Sequence, residues 1–498
     1  MSTSAKLASS FGAQATMALV GIASVPVYLS LMGPEGYGLV GFHVTLQTWM
    51  LLVDMGLPTA MGRRLSVWLA NRDAQVASFV KAVERIFWCL ALLAALGIAA
   101  ASPWIARHWL GRSELESAHM IWSLRLMACM IAFRWVASIY QAALVGLECQ
   151  NFVNGVVVTS ALSRTGAAVL GLLALGGEPQ AYFVAHLAGS LVEVVVLRKA
   201  LVRQIPLAGI APSNLRLLFA DMKLAGGFAL ITAVWLAMNQ VDKVLLSHIL
   251  PLKDFGLFSI VTAICAGIAT LVPAFTQAIQ PRLTTLLAQH KRGEFIHLYR
   301  LSVALLLMLS ASVAGTVASH PAAAIYAWTG NHEAAHQWAE VLGIYAAGTG
   351  LANMLLAPFL LQCASGDIRV HVRSYLIVGI VWVPGLVWST YAFGPWGAGL
   401  AWCAGNLVLL SICWWLVHRR LLSGPERQGM HLSLLLQGVL LGAAIALLSA
   451  LMPTLTSRAA VLAGLVFVGG TLLLVGFLGS NDLRRGFLSW HGRRPLHG

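Results

Sequence analysis

The 498-residue chain is 59% hydrophobic and 10% charged, with a mean hydropathy of +0.80 and a formal net charge of +14. Soluble domains carry roughly a quarter charged residues, so the composition excludes a water-soluble globular protein and implies a polytopic membrane protein. Of the seven cysteines, Cys89, Cys129, Cys265, Cys403 and Cys413 lie inside apolar runs and read as small packing residues, not as a disulfide framework or metal ligands.

A bilayer core of ~30 Å needs about 20 apolar residues per helix. In chain order, apolar runs of that length predict fourteen spans at roughly 8–32, 37–62, 79–103, 118–145, 152–176, 180–203, 222–249, 255–281, 298–319, 337–362, 370–393, 395–418, 431–452 and 458–478. The runs are continuous, whereas a barrel would alternate over segments of about ten residues, so the expected fold is all-α. The N-terminal stretch "MSTSAKLASSFGAQATMALVGIASVP" has the basic start and apolar run of a cleaved signal. A counterpart in mid-chain argues that it is a retained span.

Of the 32 Lys and Arg, 23 fall at the termini, in loops after even-numbered spans or in the span ends that adjoin those loops, and four (Arg107, Arg112, Lys253 and Arg458) fall on the other side. The remaining five lie within spans. By the positive-inside rule both termini are expected in the cytoplasm. The basic excess is then explained by orientation and attraction to anionic lipids, with no nucleic-acid role. No G-x-x-x-x-G-K-[ST] occurs, so ATP is not bound through that loop.

The segment "LMGPEGYGLVGF", 31–42, has a partner in "ILPLKDFGLFSI", 249–260. A constant offset of 218 pairs Tyr37 with Phe255, Gly38 with Gly256 and Leu39 with Leu257, then Arg64 with Arg282 and Leu65 with Leu283. Near the same offset "GLECQN" falls beside "CASGDIR". Spans 1–6 and 7–12 therefore read as two copies of one six-helix unit with the same topology. Residues 1–203 form an N-terminal six-helix lobe, 204–221 a cytoplasmic linker with a short amphipathic surface helix, and 222–420 a C-terminal six-helix lobe. Residues 421–498 hold two accessory helices and a basic tail. Like halves around a central cavity suit alternating access, although a fold does not name its cargo.

Together, "VPVYLSLMGPEGYGLVGF", "LLVDMGLPTAMGRR", "NQVDKVLLSHI" and "GLFSIVTAICAGIATLVPAFTQAIQPRL" resemble the polysaccharide-exporter and O-antigen-flippase branch of the multidrug/oligosaccharidyl-lipid/polysaccharide superfamily. The resemblance covers most of spans 1–12. It implies 12 to 14 helices in a V, a bacterial inner membrane, and flipping of an undecaprenyl-pyrophosphate-linked oligosaccharide from the inner to the outer leaflet. Association with polysaccharide polymerase and glycosyltransferases is compatible with it. Asp54 matches the family's "DLGL"-like segment, and Asp242 stands where an Asp often occurs on the seventh helix.

Charges inside lipid are expensive, so each one in a span is a candidate for function. Arg164 on span 5 and Glu193 on span 6 both lie ~20 Å from the outer ends of their helices, as a structural ion pair or as cavity groups. His186, Ser190 and Glu193 share one face of span 6. On span 4, Arg125 and Arg134 are nine residues apart, about half a turn of rotation. Arg134, the deeper, is the cavity candidate, and Arg125 is placed to snorkel outward. An Asp54–Arg134 contact is the structural alternative. A pyrophosphate lipid calls for a cationic wet cleft gripping the headgroup, which the Arg fork suits. Arg134 and Arg164 are the expected contacts, with Lys243 and Arg125 behind them. Asp54, Glu193, Asp242 and His186 are the charge partners or coupling groups. No cofactor or metal is expected, and coupling to protons or sodium stays open.

"NHEAAHQWAE", 331–340, contains the H-E-x-x-H pattern of zinc peptidases in His332, Glu333 and His336. Catalysis needs a third ligand, and after Glu340 the next acid is Asp367, beyond the next span, so the segment reads as a polar helix start. A membrane glycosyltransferase or polymerase would need a large outer loop with catalytic acids, whereas the loop at about 104–117 offers Glu114 and Glu116. A drug or cation antiporter of the same fold is disfavoured by the Arg residues in the first six spans.

Overall fold

Two Gly-Pro steps shape the longest helices. In the computed structural model, which describes residues 3–53, 57–71, 76–110, 113–205, 233–451 and 457–491, helix α1 (Thr3–Val53) bends at Gly33, φ +71°, immediately before Pro34. Helix α13 (Arg369–Leu421) bends at Gly394, φ +60°, before Pro395. Glycine tolerates this left-handed backbone, and proline, lacking an N–H, restarts a helix without orphaning a donor.

Between them run α2 (Leu57–Asn71), α3 (Val76–Trp104, extended by a π-helical turn Ile105–Trp109), α4 (Ser117–Gly146), α5 (Gln150–Ala174), α6 (Pro179–Gln204) and α7 (233–249). They are followed by α8 (Leu252–Ala288), α9 (Arg292–Ser319), α10 (Pro321–Thr329), α11 (His332–Met354) and α12 (Leu356–Ser365). After α13 come α14 (Gly424–Leu451), α15 (Arg458–Gly479) and α16 (Asn481–His491). The protein is all-α, and among the described residues eleven helices are long and apolar enough to cross a membrane. This differs from fourteen separate spans for identifiable reasons. Expected spans 1 and 2 are continuous in α1, and 11 and 12 in α13, because each Gly-Pro bend needs no intervening loop. The expected seventh span and the linker helix fall partly or wholly in 206–232, outside the described residues. A stretch expected as an outer loop forms α10, started by Pro321 and closed by Gly330 in the left-handed conformation.

The chain divides into two compact units, Met1–Ser259 and Ile260–Gly498. In the first, α4 is central and packs on α2, α3 and α6, while α5 packs on α1 and α6. Trp135, Tyr140 and Phe87 are buried at its core. The bend of α1 is fixed from outside itself: Glu35 accepts hydrogen bonds from Ser113 Oγ (3.0 Å), Glu114 N (3.0 Å) and Leu115 N (3.1 Å), so its carboxylate satisfies backbone donors just ahead of α4.

In the second unit, α9 packs against α11, α14, α15 and α16. Gln437 of α14, fully buried, donates to Ala304 O (3.2 Å) and Gly476 O (3.0 Å), tying α14 to α9 and α15. In hydrocarbon, polar links of this kind help hold helices that hydrophobicity alone would not. The Trp382 and Trp402 rings are 5.8 Å apart, although a straight helix would separate them by ~30 Å. The two arms of α13 therefore fold back into a hairpin.

Candidate functional site

A polar cluster within the first unit is assembled from α1, α4, α5 and α6. Its centre is the Glu193 carboxylate, which accepts from Arg164 Nη1 (2.6 Å), Ser160 Oγ (2.9 Å) and Gln141 Nε2 (2.9 Å). Arg164 and Glu193 are each 5% exposed, so the pair is withdrawn from solvent and Glu193 is fully partnered. Room for Arg164 comes from Gly189 on α6, where a Cβ would overlap the Arg164 side-chain stem.

Arg134 on α4 is half-buried, and its Nε is enclosed without a hydrogen-bond partner. The electrostatic neighbours of its guanidinium include Arg164, Glu193 and Tyr182. His186 stacks on Tyr182 with ring centroids 4.0 Å apart and bonds through Nδ1 to Tyr182 O (3.0 Å). Ser190 turns its hydroxyl to His186 O (2.7 Å). From α1, Tyr28 meets Tyr182 edge-on at 5.0 Å, and His43, buried, lies within electrostatic reach of Arg134 and His186. Chemically the cluster offers two guanidiniums beside one carboxylate, flanked by two imidazoles and aromatic rings.

The structure thus brings together Arg134, Arg164, Glu193 and His186 of the sequence-derived candidates. Arg125 is elsewhere, exposed on α4 with its guanidinium 5.7 Å from the Trp122 ring, on the side of the helix away from Arg134. Lys243 and Asp242 sit together on α7: Lys243 Nζ donates to Asn239 O (2.5 Å) and Asp242 Oδ1 (3.3 Å). Asp54 lies outside the described residues. His332, Glu333 and His336 form the first turn of α11, exposed, with Asn331 Oδ1 accepting from Ala334 N (2.9 Å). A capped helix start is what this segment builds.

Sequence reasoning passed over several residues that the structure makes prominent. Gln141 and Ser160 feed Glu193, and helical spacing was a usable signal: Gln141 is seven residues after Arg134, and Ser160 four before Arg164. A second buried carboxylate, Glu84 on α3, accepts from Tyr140 Oη (2.6 Å) and Arg198 Nε (2.6 Å), with Trp88 Nε1 donating to Tyr140 Oη (3.2 Å). Glu84 and Arg198 are 114 residues apart, and no local pattern joins them.

The helices and this cluster define a polytopic membrane protein that holds a net-cationic polar cluster among its helices. Residues 4–287, more than half of the chain, match the family model described as "Polysaccharide biosynthesis protein", and the chain belongs to that family. Among solved structures it is similar to the lipid II flippase MurJ in an inward closed conformation, with a TM-score of 0.73 and 12% identity over 93% of this chain and 96% of that one. It is also similar to an inward-facing MATE-family multidrug resistance transporter of the MOP superfamily, with a TM-score of 0.64 and 13% identity over 81% and 94%. A MATE transporter of Vibrio cholerae follows with a TM-score of 0.57 and 14% identity over 85% and 99%. At these identities the likeness establishes the fold. No curated protein matches the chain.

Proposed function

We propose that the protein flips an undecaprenyl-pyrophosphate-linked oligosaccharide of polysaccharide or O-antigen biosynthesis across the bacterial inner membrane. Both termini lie in the cytoplasm, and residues 1–203 and 222–420 act as lobes that alternate access. The observation that carries this reading is the net-cationic cluster of Arg134 and Arg164 beside the single Glu193 carboxylate, in which the Arg134 Nε has no protein acceptor. A diphosphate supplies such acceptors, and a guanidinium keeps its charge while bonding them. Two arginines beside one carboxylate weigh against a cationic drug as cargo. The family match supports a glycan.

The test is export in a host lacking the gene. Deletion should leave lipid-linked saccharide on the cytoplasmic leaflet, and the wild-type chain should clear it. Arg134→Ala should reduce clearance by about tenfold or more, the loss of one charge-assisted bond of ~1.5–3 kcal/mol, at unchanged membrane abundance. Arg134→Lys should recover part of it. Full clearance by an Arg134→Ala/Arg164→Ala double variant would sink the proposal.

A further inference from the structure

The α13 hairpin carries two adjoining concavities of about 550 and 620 Å³ that share Ile377 and Val378 and run as one groove between its arms. The half nearer the Gly394 bend is walled by Trp382, Trp388, Leu400 and Val408. Its one hydroxyl, Ser389, is spent on Leu386 O (3.1 Å) within its own helix. Gly385 keeps the groove open, since a Cβ there would have nothing within 4 Å.

The other half is lined at one end by Arg373, Arg419 and Arg420. Arg420 is neutralised by Asp367 at 2.8 Å. Arg419 lies over the Trp415 ring at 5.2 Å, and no acidic partner is recorded for Arg373 or Arg419 among the described residues. An apolar slot with two uncompensated guanidiniums at one end matches a lipid carrying a phosphate.

Groove length selects the class of lipid. Arg373 and Trp388 are fifteen residues apart on one arm, ~22 Å along the helix, whereas half of a ~30 Å core is ~15 Å. A tail anchored at the arginines must pass the bilayer midplane to fill the slot, which an ordinary acyl chain confined to one leaflet does not do.

We propose that the α13 groove binds the tail of a long-chain isoprenoid phosphate, with the phosphate held between Arg373 and Arg419. The site rests on the carrier-lipid reading above and adds to it a tail-binding surface on the second unit, apart from the Arg134 cluster.

The full chain, purified in detergent, is titrated with sugar-free polyprenyl phosphate and with phosphatidylglycerol, and bound lipid is read by native mass spectrometry. Polyprenyl phosphate should bind at least about tenfold tighter than phosphatidylglycerol, and Gly385→Trp, which fills open space, should weaken it about tenfold. Arg373→Gln/Arg419→Gln, at exposed positions that burden folding least, should do the same. Equal binding of the two lipids, or wild-type binding by both variants, overturns the groove assignment and leaves the export test untouched. Failure of the export test with groove binding intact would instead remove the glycan cargo alone.

Discussion

Gly38 and Gly256 each meet the backbone of the other's hairpin. A Cβ on Gly38 would stand 2.5 Å from Leu252 O, and a Cβ on Gly256 would overlap Pro34 O. Pro34 and Leu252 are themselves related by the offset of 218 residues that relates the two glycines, and so are Gly41 and Ser259, whose side chain would overlap a Cβ on Gly41. Contacts that exchange partners in this way are what a two-fold relation between like segments generates.

The reciprocity predicts matched effects. Gly38→Ala and Gly256→Ala each push against a carbonyl, which yields less readily than a side-chain tip, and each should cost about 1–3 kcal/mol of stability. The double variant should fall short of the sum, since both act on one contact. Apparent Tm in detergent measures this, and a wild-type value for either single variant would contradict a shared seam.

Glu35 gives a second prediction. Its carboxylate receives two backbone N–H groups and a hydroxyl ahead of α4. Glu35→Ala should destabilise by roughly 1–3 kcal/mol, the range for hydrogen bonds to a charged acceptor. Faster amide hydrogen exchange should appear at Glu114 and Leu115, and unchanged exchange there would show that the bonds contribute nothing.

The fold was largely legible because lipid imposes one secondary structure and a fixed run length, so hydropathy alone gives the helices. The likeness of the segments 31–42 and 249–260 was legible because each keeps Gly where backbones touch, as Gly38 and Gly256 do. Span joins were not: Gly33 and Gly394 bend a helix without a loop, which a run count registers as a break. At the site, depth counting from helix ends put Arg164 beside Glu193, and the structure has them paired. Contacts made across distant helices, such as Glu84 with Arg198 or His43 with the Arg134 cluster, leave no spacing to read.

The His332–Glu333–His336 triplet yields a third prediction. Asn331 caps α11 through Ala334 N, and the triplet is its exposed first turn. Glu333→Gln should export as the wild type does, while Asn331→Ala should lose roughly 1 kcal/mol, a typical cap value. Stoichiometric zinc in the purified chain, removed by His336→Ala, would reverse this reading.

The Arg164–Glu193 pair separates structure from transport in one experiment. Glu193→Gln leaves Arg164 buried beside Arg134 with its counter-charge gone, and removing one partner of a buried pair costs about 3–5 kcal/mol. Gly189→Ala should act in the same direction, because its Cβ displaces the Arg164 stem from the geometry that holds the 2.6 Å bond. Arg164→Met/Glu193→Met removes both charges and keeps volume, so it should fold close to wild-type stability, as apolar replacement of buried pairs often does. A stable double variant that still exports would make the pair a helix lock. One that is stable and inert would assign the pair to transport, and a stable Arg164→Met/Glu193→Gln variant that is equally inert while Glu193→Met alone still exports would place the defect on Arg164 as a cargo contact.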